Sequence, residues 1–253
     1  SHIIYRAWSK LNRWSFKKAY RLFTISERMA DLLEQYIDRD KLIIQPIWSI
    51  FQVNKKVDRN ENPFIQKHEL QDYFIVQYSG NIGLSHRVEV MIELAEQMQK
   101  HSDILFQIIG RGPRKPHLEQ LVQEKSLPNC QFLPFQSDEM FPYSLSAADI
   151  GVVILDPATS KGSVPSKSYN LMSYGIPGLY IASPDSQLNG YAEKYGHAAC
   201  FSEDDLHKAK SFILSLSRDR KKYEQFARRA EAASQDFKRD NADAFVEKYL
   251  AVK

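Results

Sequence analysis

At 253 residues, 43% of them hydrophobic, the chain can bury a sizeable core as one large domain or two modest ones, which excludes a disordered polymer. A net charge of +3 with no aromatic-basic platform argues against a nucleic-acid partner, and the two cysteines, Cys130 and Cys200, lack the spacing of a zinc site or disulfide framework. No apolar run approaches the eighteen or so residues of a membrane span, and the first residues lack a signal-peptide core, so a cytoplasmic protein is expected.

Residues 1–21 carry Arg6, Lys10, Arg13, Lys17, Lys18 and Arg21 with no acidic residue, interleaved with Tyr5, Trp8, Leu11, Trp14 and Phe16. This reads as a basic, aromatic helix. Such a helix either lies on an anionic membrane surface, making the protein peripheral on the inner membrane face, or packs on a neighbouring domain with its cations solvated. Arg21 to Ser26 reads as a short strand, and Ser26 as the N-cap of a helix through about Asp38. Leu42 to Gln45 is another strand, ended by Pro46. The charged, Asn-rich run from Asn54 to Asn62 reads as a surface loop or hinge.

From there strands and helices alternate. Strands are expected at 73–78, 104–109, 131–133, 150–155, 178–182 and 198–201. Helices are expected at 88–100, 115–124, 139–147, 188–195 and from Glu203, with two more broken near Ser217 and Asp236. The alternation predicts an α/β fold with a Rossmann-like, doubly wound parallel sheet, and places the informative loops at the carboxyl ends of its strands.

Three such loops carry chemistry. In Ser79-Gly80-Asn81-Ile82-Gly83, glycines let backbone N–H groups approach a ligand, and the following helix turns its positive end toward a phosphate. His86 stands just beyond. Gly110-Arg111-Gly112-Pro113-Arg114-Lys115 places three cations at a strand end, suiting either a polyanion or plain turn chemistry. In the loop Pro157 to Ser166, Ser166 can cap a helix beginning near Lys167, putting an ammonium group beside free backbone donors. Together they point to a nucleotide diphosphate. A dinucleotide-binding oxidoreductase of NAD type needs GxGxxG and an acidic residue after the next strand; here Gly80 to Gly83 gives GxxG, and the next strand ends in Gly110-Arg111. No GxSxG elbow, HExxH or metal-spaced carboxylate set is present, so neither a metal nor a cofactor is called for.

These motifs resemble those of retaining, GT-B-fold glycosyltransferases of group 1 (family 4). YSGNIGLSH at 78–86 is similar to the glycine loop opening their donor-binding domain, FQIIGRGP at 106–113 to their hGxGP turn, and GSVPSKSYNLMSYGIPGL at 162–179 to the segment of members that build surface polysaccharides and lipid-linked oligosaccharides. The resemblance implies a nucleotide-diphosphate sugar (UDP- or GDP-sugar) as donor and a saccharide or lipid-linked acceptor. It makes 1–45 the remnant of an acceptor-binding domain and crossover, 46–236 the donor domain, and 237–253 a helix bracing the first domain. On that reading the chain is part of a longer enzyme whose catalytic histidine and acceptor pocket lie elsewhere. Donor-binding residues would be Gly80, Asn81, Gly83, His86, Arg111, Gly112, Pro165, Ser166, Lys167 and Asn170. The sequence departs from the family at three places: Asn170 and Gly162 stand where a Glu-x7-Glu pair is usual, and His86 where a phosphate-binding Lys is usual. The first two departures also suit a noncatalytic nucleotide-sugar-binding or partner-subunit module.

Overall fold

The computed structural model describes residues 2–49, 56–83 and 87–251. Helix α1 (His2–Lys18) leads to a small parallel pair, β1 (Leu22–Thr24) and β2 (Leu42–Ile44), with α2 (Glu27–Leu33) between them. Ser26 caps α2 by accepting from Met29 N at 3.2 Å. The helix stops at Leu33, short of the expected Asp38.

The main body begins with a short helix that the alternation did not reveal, α3 (Pro63–Lys67). Asn62 caps it, accepting from Phe64 N at 2.9 Å, and Pro63 occupies its first turn, a start signal hidden in a charged segment. That segment is no loose hinge where it is described: the Arg59 guanidinium donates to the Leu70 and Gln71 carbonyls, both at 2.9 Å, and pairs with Asp149 at 3.2 Å.

Then follow β3 (Phe74–Asn81), α4 (Glu89–Gln97), β4 (Ile104–Arg111), α5 (Lys115–Glu124), β5 (Cys130–Leu133), α6 (Phe141–Ser146), β6 (Ile150–Ile154), α7 (Ser166–Ser173), β7 (Gly178–Ile181), α8 (Gln187–Tyr195), β8 (Ala198–Phe201), α9 (Leu206–Arg218), α10 (Arg220–Ser234) and α11 (Asn241–Leu250). The six strands β3 to β8 form one parallel sheet in the order β5-β4-β3-β6-β7-β8. This is the doubly wound Rossmann order, whose direction of winding reverses between β3 and β6.

Side chains alternate between the faces of the sheet, so successive residues of β3 enter different cores. Val76 and Tyr78 join a cluster with Val90, Met91, Leu94 of α4 and Ile213 of α9. Ile75 faces Phe64 and Ile65 of α3. Burying a Leu or Ile side chain contributes about 1.5–3 kcal/mol, and both faces are covered this way. A separate cluster, Val164, Tyr169, Met172, Tyr191, Ala233 and Phe237, packs on Ile25, Met29 and Ile47, joining the β1–β2 unit to the sheet body.

The last helix, α11, returns to that unit. Phe245 packs on Phe23 with the rings tilted and their centroids 4.6 Å apart, and Lys248 Nζ donates to Gln45 Oε1 at 2.6 Å.

Candidate functional site

Where adjacent strands wind off in opposite directions, a crevice opens beyond their carboxyl ends. Here it is bordered by the end of β3 and the start of α7. A cavity of about 50 Å³ occupies it, lined by Gln77, Ser79, Lys167, Asn170, Phe141 and Leu171 among others. That volume suits a small anionic group rather than a whole nucleotide. Larger cavities of about 400 and 510 Å³ lie elsewhere, the first beside Asp149 at the opposite end of the sheet and the second between α8 and the β1–β2 unit. In the first, most of the cations are already paired or donate to backbone, so the chemistry favours the switch-point crevice.

The glycines there are required by close approach. Gly80 and Gly110 are directly paired in the β3–β4 ladder, and a Cβ on Gly110 would run into the Gly80 carbonyl oxygen. Gly112 adopts φ +155°, and a Cβ there would collide with the Ile82 carbonyl. The strands therefore reach further than their apolar runs suggest. Gly80, Asn81, Gly110 and Arg111 belong to β3 and β4 rather than to loops, and Ile82 N donates to Arg111 O at 2.9 Å instead of facing a ligand. Gly83 follows directly; His86 lies outside the described residues.

Lys167 projects from the first turn of α7 against the Gly80 backbone, where a Cβ would overlap its Cε and Nζ. Its ammonium sits over the Tyr78 ring, 4.0 Å from the centroid. Among the described residues no carboxylate is paired with it, and burial pushes its pKa down to about 8. Tyr78 is itself fully buried, and its hydroxyl donates to Asn81 O at 2.7 Å, which holds the ring in place as the floor beneath the ammonium. The start of α7 differs from expectation: Pro165 occupies the N-cap position and Ser166 is the first helical residue, so Ser166 does not cap. Pro165 O instead accepts from Ser168 Oγ at 2.8 Å. The early N–H groups of α7 still point toward the crevice end of the helix.

Of the three cations at the end of β4, two are engaged by other groups. Arg114 pairs with Glu89; Lys115 lies 3.6 Å from Glu119 and donates to Leu133 O at 3.5 Å. Arg111 is exposed and stacks over Phe135, 5.0 Å from the ring centroid. Phe135, itself 52% exposed, was not found by motif reading. An exposed aromatic after a strand end was its one signal.

Asn170, one turn beyond Lys167, lines the same cavity, and its Oδ1 accepts from Ser49 Oγ at 2.6 Å. Gly162 does not reach it: the place of its absent side chain is closed by Leu32 of α2. Among the described residues no group of three or more His, Cys, Asp or Glu is placed to hold a metal ion, and no helix is long and apolar enough to cross a membrane.

Fold and crevice together define a doubly wound α/β domain with a cationic site at its topological switch point and no carboxylate among the described residues lining the cavity. The chain belongs to the family of glycosyl transferases group 1, which it matches over residues 58–233. It is 29% identical over 187 residues to the putative colanic acid biosynthesis glycosyl transferase WcaI of Escherichia coli strain K12, covering 72% of this chain and 46% of that protein. To the UDP-N-acetylglucosamine--N-acetylmuramyl-(pentapeptide) pyrophosphoryl-undecaprenol N-acetylglucosamine transferase of Caldicellulosiruptor saccharolyticus it is 29% identical over 197 residues, covering 72% of this chain and 50% of that one. The crystal structure of Anabaena Alr3699/HepE in complex with UDP superposes with a TM-score of 0.78 at 15% identity, over 96% of this chain and 66% of that one. At that identity the likeness speaks for the fold, a Rossmann-like α/β domain of the GT-B glycosyltransferase type. The chain spans about half the length of these sequence relatives. Family membership leaves the NAD-type oxidoreductase reading without support.

Proposed function

We propose that the chain is the donor-binding part of a glycosyltransferase that moves a sugar from a nucleotide-diphosphate sugar to a saccharide or lipid-linked acceptor, with retention of anomeric configuration. The observation that carries this reading is the Lys167 ammonium, lodged between the Gly80 backbone and the Tyr78 ring without a carboxylate partner among the described residues. A cation held away from bulk water and unpaired is complemented by an anion.

In this reading Lys167, with the N–H groups at the start of α7, takes the charge that builds on the leaving diphosphate. Arg111 and Phe135 border the outer part of the nucleotide. The bond between the anomeric carbon and the phosphate oxygen breaks, the acceptor oxygen bonds to that carbon on the same face, and the acceptor proton passes to the departing phosphate. None of the residues named here is assigned as a catalytic base. The choice between UDP and GDP falls to side chains along the outer cleft.

The division into 1–45, 46–236 and 237–253 belongs to the same proposal. It is supported by β1–β2 forming a sheet of their own and by α11 packing back on them. Exposed Ile3, Ile4, Trp8 and Leu11 of α1, with Val246 and Leu250 of α11, leave broad apolar faces for the rest of an acceptor domain. Work at the inner membrane face fits the basic α1 and the lipid-linked substrate in the name of the Caldicellulosiruptor relative. A noncatalytic nucleotide-sugar-binding subunit is the second reading, favoured by the lack of any carboxylate among the described residues lining the cavity.

The test has two stages. Calorimetric titration with UDP, GDP and their sugars asks whether the crevice binds. Joining the chain to the remainder of an acceptor domain and assaying sugar transfer then separates an enzyme, which transfers, from a binding subunit, which does not.

A further inference from the structure

We propose that Ser49 is a positioning residue of the crevice: it holds the Asn170 amide so that its N–H groups face the bound nucleotide sugar, which therefore presents an acceptor oxygen at this point. This rests on the reading of the crevice as a nucleotide-sugar site.

The contact is specific about which end of the amide is which. Ser49 Oγ lies 2.6 Å from Asn170 Oδ1, within the range of O–H···O bonds and shorter than N–H···O bonds normally run. The hydroxyl thus donates to the amide oxygen, and the Nδ2 group is turned elsewhere. Ser49 is 5% exposed, so water competes little for its hydroxyl. Asn170 stands three residues after Lys167 on α7, on the same side of the helix, and both line the cavity. The ammonium and the amide N–H groups make that wall a row of donors.

A carboxylate at position 170 would accept hydrogen bonds from ligand hydroxyls. An amide oriented by Ser49 donates instead, to a ribose oxygen or a phosphate oxygen. Ser49 also ties the site to the β1–β2 unit through the connecting stretch 45–49. Gln45 Nε2 donates to Asn241 O, and Asn241 Nδ2 donates to Pro46 O, both at 3.2 Å. One end of this stretch is clamped to the start of α11 and the other to Asn170.

The experiment is titration of the chain and its variants with UDP, then with uridine and 2′-deoxy-UDP. Ser49→Ala is expected to weaken UDP binding about two- to tenfold, the worth of one hydrogen bond, and Ser49→Thr to restore it. In an Asn170→Ala background the Ser49→Ala change should have no further effect. Asn170→Asp keeps an oxygen for the Ser49 hydroxyl but removes the donors, and should weaken UDP binding by about tenfold or more. If uridine is bound with the same Asn170 dependence, the oxygen read is on the ribose; if only the diphosphate-bearing ligands show it, the oxygen is on phosphate. Equal or tighter UDP binding by Asn170→Asp would overturn the proposal, as would a Ser49→Ala effect of the same size in both backgrounds. If the parent binds no nucleotide at all, the reading of the crevice itself fails; if the parent binds and Ser49→Ala matches it, the role of Ser49 alone fails.

Discussion

The Lys167 ammonium rests 4.0 Å from the centroid of the buried Tyr78 ring, and burial lowers its pKa to about 8. An aromatic face offers a cation about 0.5–2 kcal/mol, far less than full hydration, so the charged form is held at a cost that an anionic ligand would offset. Because the folded-state pKa is depressed, the free ammonium is lost as pH rises through about 8. UDP affinity should accordingly fall between pH 7 and pH 9.5, by about tenfold or more. Lys167→Ala should weaken binding about 10- to 100-fold at pH 7 and flatten the pH profile. Calorimetry across that range checks both.

At the carboxyl ends of β3 and β4, Gly110 and Gly112 have no room for a Cβ. Gly112 combines φ +155° with the Ile82 carbonyl directly in the path of a side chain, and neither is a flexible side-chain tip that could swing away. Gly112→Ala is therefore expected to destabilise the fold by about 1–3 kcal/mol and to weaken UDP binding as the Arg111 segment shifts. Urea unfolding and titration of the same variant measure the two effects.

At the carboxyl end of β4, Arg111 lies over the Phe135 ring with both side chains exposed. Phe135→Ala removes an aromatic surface that folding does not bury deeply. Stability should change by less than about 1 kcal/mol while UDP affinity drops several-fold, giving a separation of binding from folding. Thermal melts beside calorimetry would show it.

His197 lies far from this chemistry but sets the acid limit of the fold. It is fully buried, with Nε2 2.8 Å from the Tyr180 hydroxyl, and burial pushes its pKa down to about 4. The unfolded chain protonates this ring near pH 6.5 while the folded chain resists until about 4, so its contribution is whole above pH 6.5 and is lost as pH falls toward 4. Stability at pH 5 should be lower than at pH 7.5 by about 2 kcal/mol from this group, and His197→Gln should reduce that difference. Urea midpoints at the two pH values check it.

The alternation of apolar runs with helical patterns made the parallel sheet legible, because strands buried on both faces are near-continuous in Val, Ile and Leu. The strand ends were not legible. Gly80-Asn81 and Gly110-Arg111 look like loop residues in sequence, yet they pair with each other across the ladder. Helix α3 hid in a charged stretch whose Asn62-Pro63 start signal was overlooked. That Lys167 and Asn170 stand together was legible, because both lie on one helix three residues apart. For Arg114 and Lys115 the sequence leaves polyanion binding and turn chemistry open, because their partners Glu89 and Leu133 come from other elements. Ser49 could not be found at all: the residue that gives it meaning is 121 positions away.

The central claim, that the switch-point crevice is a sugar-nucleotide site, is tested most directly by calorimetric titration of this chain with UDP, GDP, their sugars and NADH. Binding of a nucleoside diphosphate or its sugar that is weakened by Lys167→Ala, with no binding of NADH, is the result expected. Failure of every sugar nucleotide to bind the folded chain, or binding indifferent to Lys167→Ala, would contradict it.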